Sequence, residues 1–172
     1  MPLYALGDVA PDVHPDAFVH PDATVIGDVS IGPESTVWPQ AVLRGDFGKI
    51  VVGARTSIQD GSVIHTFPEL PTLVGDDCVI GHLVHLEGCT VQDRALVGNG
   101  SIVMLRAVIE SHSIVGAGAV VPNGMTVPSY AMALGIPAKL REGVVEQGEI
   151  ERIAAPYIAN GYRYRAELRR ID

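Results

Sequence analysis

Residues 95–127 read ALVGNG SIVMLR AVIESH SIVGAG AVVPNG MTV. An aliphatic residue returns at every sixth position: Val97, Val103, Ile109, Val115, Val121 and Val127. Two positions earlier stands a small residue, as at Ala95, Ser101, Ala107, Ser113 and Ala119. Side chains two apart on a strand share a face, so each strand sends one small and one large residue inward. Glycine often follows the aliphatic residue directly, as at Gly98 and Gly116, and marks a turn. Three such strands make one triangular coil. No coil buries its apolar side alone, so successive coils must stack.

The same phase runs upstream. It passes through Val13, Val19, Val25, Ile31, Val37 and Leu43, and resumes after short insertions at Val52, Ile58 and Ile64, then at Val74, Ile80 and Leu86; one five-residue step then reaches Val91. Its small partners include Ala17, Ala23, Ser35, Ala41, Thr56, Ser62, Thr72, Cys78 and Cys89. Nineteen inward aliphatics predict about six coils. The fold class expected is all-β, a parallel β-helix of hexapeptide repeats over residues 1–138. Residues 139–172 are expected to pack on it as a helical tail within the same domain. Pro137 ends the repeats, and Ile150, Ile153, Tyr157, Tyr164 and Leu168 follow at roughly helical spacing. Pro156 is expected to break or kink that helix.

Composition agrees and excludes several functions. The chain has 172 residues, 47% hydrophobic but only 5% aromatic, with 19 glycines and 12 prolines, which suits many short strands and turns. A net charge of −8 leaves no basic face for nucleic acid or anionic lipid. No apolar run approaches the ~18 residues of a membrane span. Met1–Ala10 lacks a basic start and a long apolar stretch, so a cytoplasmic chain is expected. Cys78 and Cys89 sit at small inward positions and read as core thiols.

The register places the polar residues. Arg44, His65 and Glu87 each directly follow an inward residue of the same prism side, so they form one column with a coil between neighbours. Asp60 and His82 form a second column one side away, with Gln59 beside them. At ~3.3 Å per residue the columns lie roughly 15–20 Å apart. Within one chain His82 cannot join His65 and Glu87, but a closed three-fold ring would bring one column against the neighbour's other column. Two imidazoles and a carboxylate suit Zn²⁺ or Fe²⁺. Arg44 could hold an anion, with Asp46 orienting it.

The motifs Arg44-Gly45-Asp46, Gln59-Asp60-Gly61-Ser62-Val63-Ile64-His65, Gly81-His82 and Gly88-Cys89-Thr90 resemble those of gamma-class carbonic anhydrases, within the hexapeptide-repeat superfamily. The resemblance implies a left-handed β-helix and a homotrimer with metal sites at its subunit interfaces. It implies His65 and His82 as ligands from adjacent subunits, and reversible hydration of CO₂ to bicarbonate. It also implies Arg44 as the substrate-anion residue, Asp60 as its ion-pair partner across the interface, Asp46 as the carboxylate nearby, and Gln59 as the residue positioning water. This chain departs from the pattern at Glu87, where the family has histidine, so the third ligand is expected to be Glu87. A carboxylate ligand weakens the metal as a Lewis acid. The loop Thr66–Thr72 carries a single acid, Glu69, as a candidate proton shuttle. Two alternatives use the same residues: an acyl-CoA thioesterase or transferase-type enzyme, and a non-catalytic trimeric scaffold in which an Arg44–Glu87 pair replaces the metal.

Overall fold

The computed structural model describes residues 2–172. Short parallel strands stack into a three-sided β-helix of seven coils. The first face holds Leu3–Tyr4, the leading half of Thr24–Ile31, the leading part of Val42–Val52, Val63–His65, His85–Glu87, Ile102–Val103 and Val120–Val121. The second holds Asp12–Val13, the trailing parts of the same two long strands, Thr72–Val74, Thr90–Val91, Val108–Ile109 and Thr126–Val127. The third runs from Phe18–Val19 through Thr36–Val37, Ser57–Ile58, Val79–Ile80, Leu96–Val97 and Ile114–Val115 to Met132–Leu134. Antiparallel Lys139–Arg141 ends that face. The expected six coils become seven because Leu3–Tyr4 and Met132–Leu134 carry the winding past both ends of the Val13–Val127 phase.

The inward phase is the core. Every aliphatic in it from Val19 to Val127 is buried, and Val13 packs partly buried against them. The small positions from Ala17 to Ala119 are buried too, including three that carry larger residues, Val29, Ile50 and Val84, while Met125 is only partly buried. Inward hydroxyls lace the coils together. Ser35 Oγ donates to the Gly53 carbonyl at 2.6 Å and accepts from the Thr56 amide at 2.9 Å. Thr56 Oγ1 repeats this with Gly75 and Cys78, and Ser62 Oγ with Gly81 and Val84. Each such bond contributes about 0.5–1.5 kcal/mol net, and each would cost more if left unmade in the core.

At many corners, the residue just before the small inward position adopts positive φ. Glycine takes the role at Gly61, Gly100 and Gly118, but Glu34, Arg55, Asp77, Arg94, His112 and Tyr130 take it between the second and third faces. Their amides bond from coil to coil, as Arg55 does to Pro33 at 2.9 Å and Arg94 to Asp76 at 2.8 Å. The side chains alternate in charge along this edge. Arg55 grips Asp77 through Nε at 2.6 Å and a terminal nitrogen at 2.8 Å, which holds its guanidinium above its ordinary value. His112 then stacks on Tyr130, ring centroids 5.2 Å apart.

A single helix, Glu149–Glu167, covers the third face. It runs on through Pro156, whose exposed position leaves the buried face unbroken. That face consists of Ile150, Ala154 and Gly161, not the expected Ile153, which is exposed. Gly161 is required there, because a Cβ would stand 2.6 Å from the Thr36 methyl. Tyr164 packs edge-on against Trp38, centroids 5.0 Å apart, and against Phe18. Trp38 Nε1 donates to Thr36 and Ser57 hydroxyls, both at 3.0 Å. The helix also meets the charged edge, with Tyr162 donating to Glu34 and Glu151 lying 3.6 Å from Arg94 and 3.8 Å from His112. Among the described residues no helix is long and apolar enough to cross a membrane.

Candidate metal centre

The column of Arg44, His65 and Glu87 is a ladder of register partners. Arg44 pairs with His65, and His65 with Glu87, on adjacent strands of the first face. Glu87 Oε1 lies 3.2 Å from His65 Nδ1. The other imidazole nitrogen, Nε2, lies 2.9 Å from Asp46 Oδ1, and Asp46 Oδ2 accepts from Arg44. Gly45 makes this turn possible, since a Cβ there would stand 2.4 Å from the Asp28 carbonyl oxygen. Burial alone pushes the Asp46 carboxyl up, but the His65 hydrogen bond and the Arg44 pairing outweigh it and hold it below the usual carboxylate value.

The second column stands at the other edge of the same face. His82 Nδ1 lies 2.9 Å from Asp60 Oδ2. Beside them Gln59 is buried, and its Nε2 has no hydrogen-bond partner among the described residues. These three residues line a cavity of about 190 Å³ with Trp38 and with Tyr157, Asn160 and Tyr164 of the helix. The spacing of the tail singles out neither Tyr157 nor Tyr164 for this place; the signal is only that both follow Ala154 at helical intervals. Glu69 sits exposed at the tip of its loop at positive φ, with no ion pair to either column among the described residues.

Between the columns runs an outward ladder of Val42, Val63, His85, Ile102 and Val120, all register neighbours. Val63 is 38% exposed and Leu83, next to His82, is 70% exposed at φ 58°. The third face has its helix, but among the described residues no helix packs on this one.

The donor set fits a divalent cation in its chemistry. His65 faces carboxylate oxygens at both nitrogens. An imidazole nitrogen beside carboxylate oxygens, as at His65 Nδ1 and Glu87 Oε1, is a set of donors of the kind Zn²⁺ or Fe²⁺ takes. Among the described residues of one chain, no three His, Cys, Asp or Glu side chains converge as a complete metal site. A single chain carries His65 with Glu87 at one edge of the face and His82 with Asp60 at the other.

No protein-family model matches the chain. Gamma carbonic anhydrase 2, mitochondrial, of Arabidopsis thaliana is 41% identical over 146 residues, covering 81% of this chain and 52% of that protein. The chain thus spans about half the length of that relative. A carbonic anhydrase of Geobacillus kaustophilus is 38% identical over 166 residues, covering 95% of this chain and 91% of that protein. The crystal structure of a hexapeptide transferase family protein from Anaplasma phagocytophilum matches with a TM-score of 0.91 and 40% identity, over 95% of this chain and 98% of that one. The identity to the Geobacillus protein over nearly the whole of both chains, together with the repeat architecture, shows that the chain belongs to the gamma-class carbonic anhydrase-like family of left-handed, hexapeptide-repeat β-helices.

Proposed function

We propose that this chain forms a cytoplasmic homotrimer that hydrates CO₂ reversibly to bicarbonate, with Zn²⁺ or Fe²⁺ held between subunits. One observation carries the reading: the first face bears His65 with Glu87 at one edge and His82 at the other, with an uncovered apolar ladder between them. A closed ring of three copies covers that ladder and joins unlike edges at every interface. His65 and Glu87 of one subunit and His82 of the next would hold the metal. Once bound, such a cation supplies the Lewis acidity that makes water nucleophilic near neutral pH.

The chain's own residues then have distinct tasks. Arg44, steadied by Asp46, offers guanidinium N–H groups to the bicarbonate oxygens. Asp46 also orients His65 through Nε2. Gln59 brings an uncommitted amide N–H, which donates to an oxygen of water or substrate. Asp60 fixes the His82 ring through Nδ1, leaving Nε2 as the ligating atom. Glu69, exposed on its loop, passes protons to bulk solvent.

The test is stopped-flow CO₂ hydration by protein reconstituted with Zn²⁺ or, anaerobically, with Fe²⁺, beside metal analysis. Turnover above the buffer rate with metal bound supports the reading. Metal-free protein inert after both reconstitutions overturns it. A second reading, acyl-CoA thioester hydrolysis, is favoured by the open groove beside Gln59, Asp60 and His82, whose aromatic lining of Trp38, Tyr157 and Tyr164 suits a larger, partly apolar substrate. An acyl-CoA panel with a thiol reagent separates the two. The scaffold alternative loses its central contact, because Arg44 pairs with Asp46 and Glu87 with the histidines.

A further inference from the structure

We infer that His85 is a positioning residue for Glu87, fixing that carboxylate so that a single oxygen is presented to the metal. The inference rests on the metal reading above. His85 and Glu87 lie two apart on one strand, so both side chains point outward on the first face. Each oxygen of Glu87 has a different imidazole beside it: Oε1 is 3.2 Å from His65 Nδ1, and Oε2 is 3.5 Å from His85 Nε2. The carboxylate is thus bracketed on both sides, at the one position where the chain departs from the family's histidine.

The departure creates the need. A histidine is a rigid ring with one nitrogen to offer. A glutamate has three rotatable bonds and two equivalent oxygens, and can ligate through one or both. At 3.5 Å His85 Nε2 stands just outside hydrogen-bond distance of Oε2, and a small side-chain rotation lets its N–H donate there, reserving that oxygen and leaving Oε1 for the cation. Ligating carboxylates are commonly held in this way by a hydrogen bond from outside the ligand set. The placement of His85 is otherwise hard to account for. It stands in the outward ladder between Val63 and Ile102, where the other positions are aliphatic. An imidazole there sacrifices apolar contact unless its N–H has a task.

The test uses the full-length protein and Co²⁺ as a spectroscopic probe. Wild type, His85→Val and His85→Gln are titrated with Co²⁺, reading affinity and the visible d–d spectrum. Light scattering checks assembly, and thermal unfolding checks the fold. Valine keeps the ladder apolar and removes the donor, whereas glutamine keeps an N–H donor. A role for His85 in packing alone makes valine the better substitute; a role in positioning makes glutamine the better one. The expected result is Co²⁺ affinity about tenfold or more weaker in His85→Val, with an altered spectrum, and both restored in His85→Gln. Equal affinity and spectra in all three, or valine surpassing glutamine, overturns the inference and leaves the metal reading standing. Wild type that takes up no Co²⁺ overturns the metal reading, and this inference with it.

Discussion

Glu87 and His65 face each other across adjacent coils as exact register partners, with carboxylate oxygen and imidazole nitrogen 3.2 Å apart. In the proposed metal site this pair sets the charge. Replacing Glu87 with histidine exchanges an anionic donor for a neutral one, which strengthens a bound cation as a Lewis acid. Glu87→His is expected to raise CO₂ hydration on the order of tenfold and to move its pH profile downward. Stopped-flow assays from pH 6 to 9 check both; an unchanged profile would mean that Glu87 does not touch the metal.

The uncovered face makes a second expectation. Leu83 and Val63 flank the two half-sites and are among the exposed apolar side chains. Leu83→Asp and Val63→Asp should convert trimer to monomer and abolish metal uptake together, while far-UV circular dichroism stays native. Light scattering and metal analysis read the outcome. Monomers that still bind one metal per chain would locate the site within a single subunit.

Gly45 joins stability to site geometry. In Gly45→Ala the new methyl meets the Asp28 carbonyl oxygen at 2.4 Å, so backbone must move. Overpacking of this kind costs about 1–3 kcal/mol, and a domain this size loses about 2–4 °C of Tm per kcal/mol. The movement also displaces Arg44 from Asp46. Calorimetry should show a Tm several degrees lower, and anion inhibition should weaken. A Tm equal to wild type would mean the corner has room to spare.

Most of the fold is legible in the sequence because an interior this narrow demands a strict period. The column of Arg44, His65 and Glu87 follows from counting sixes from Leu43, Ile64 and Leu86, and strand pairing shows the same partners. What escapes the count is what the period does not constrain. Arg55, Asp77 and Arg94 take positive φ without glycine, held by backbone bonds to the next coil. The helix docks through Ala154 and Gly161, small residues that no hydrophobic spacing reveals. His112 and Glu151 meet across 39 positions of sequence (151 − 112) that only the folded chain brings together. The contact of Asp46 with His65 depends on the Gly45 turn, which the repeat itself does not describe.

The core thiols give a pH test. Burial pushes both Cys78 and Cys89 up to about 12, above the unfolded value of 9.0. The unfolded chain therefore releases these protons first as pH rises. The stability they contribute is complete below pH 9 and is lost between there and about 12. Alkylation with iodoacetamide at pH 8 should label neither thiol until the chain unfolds. Tm should fall above pH 9, and less steeply in Cys78→Ala/Cys89→Ala. Rapid labelling of native protein would contradict the burial.

The helix clamp can be tested at one residue. Gly161→Leu forces a side chain against Thr36 and should lift the Glu149–Glu167 segment from the third face. Limited trypsin digestion should then cut at Arg152, Arg163 or Arg165 well before the β-helix is touched. Resistance equal to wild type would show that the charged contacts of Glu151 and Tyr162 suffice.

Because inward residues recur every sixth position and three repeats close a coil, the chain behaves like a dial with three stops. Deleting one hexapeptide anywhere between His65 and Glu87 would leave every strand locally content, yet turn all that follows by one stop. Glu87 would leave its place beside His65 and arrive at another edge, and the lower half of the molecule would face a different neighbour. Only whole coils can be added or lost without scrambling the centre, and a coil inserted inside the column would still pull its members apart. Whole repeats can therefore be gained or lost only outside Arg44–Glu87 and in units of three, whereas within it extra residues are absorbed at the corners, as the chain already does between Leu43 and Val52 and between Ile64 and Val74.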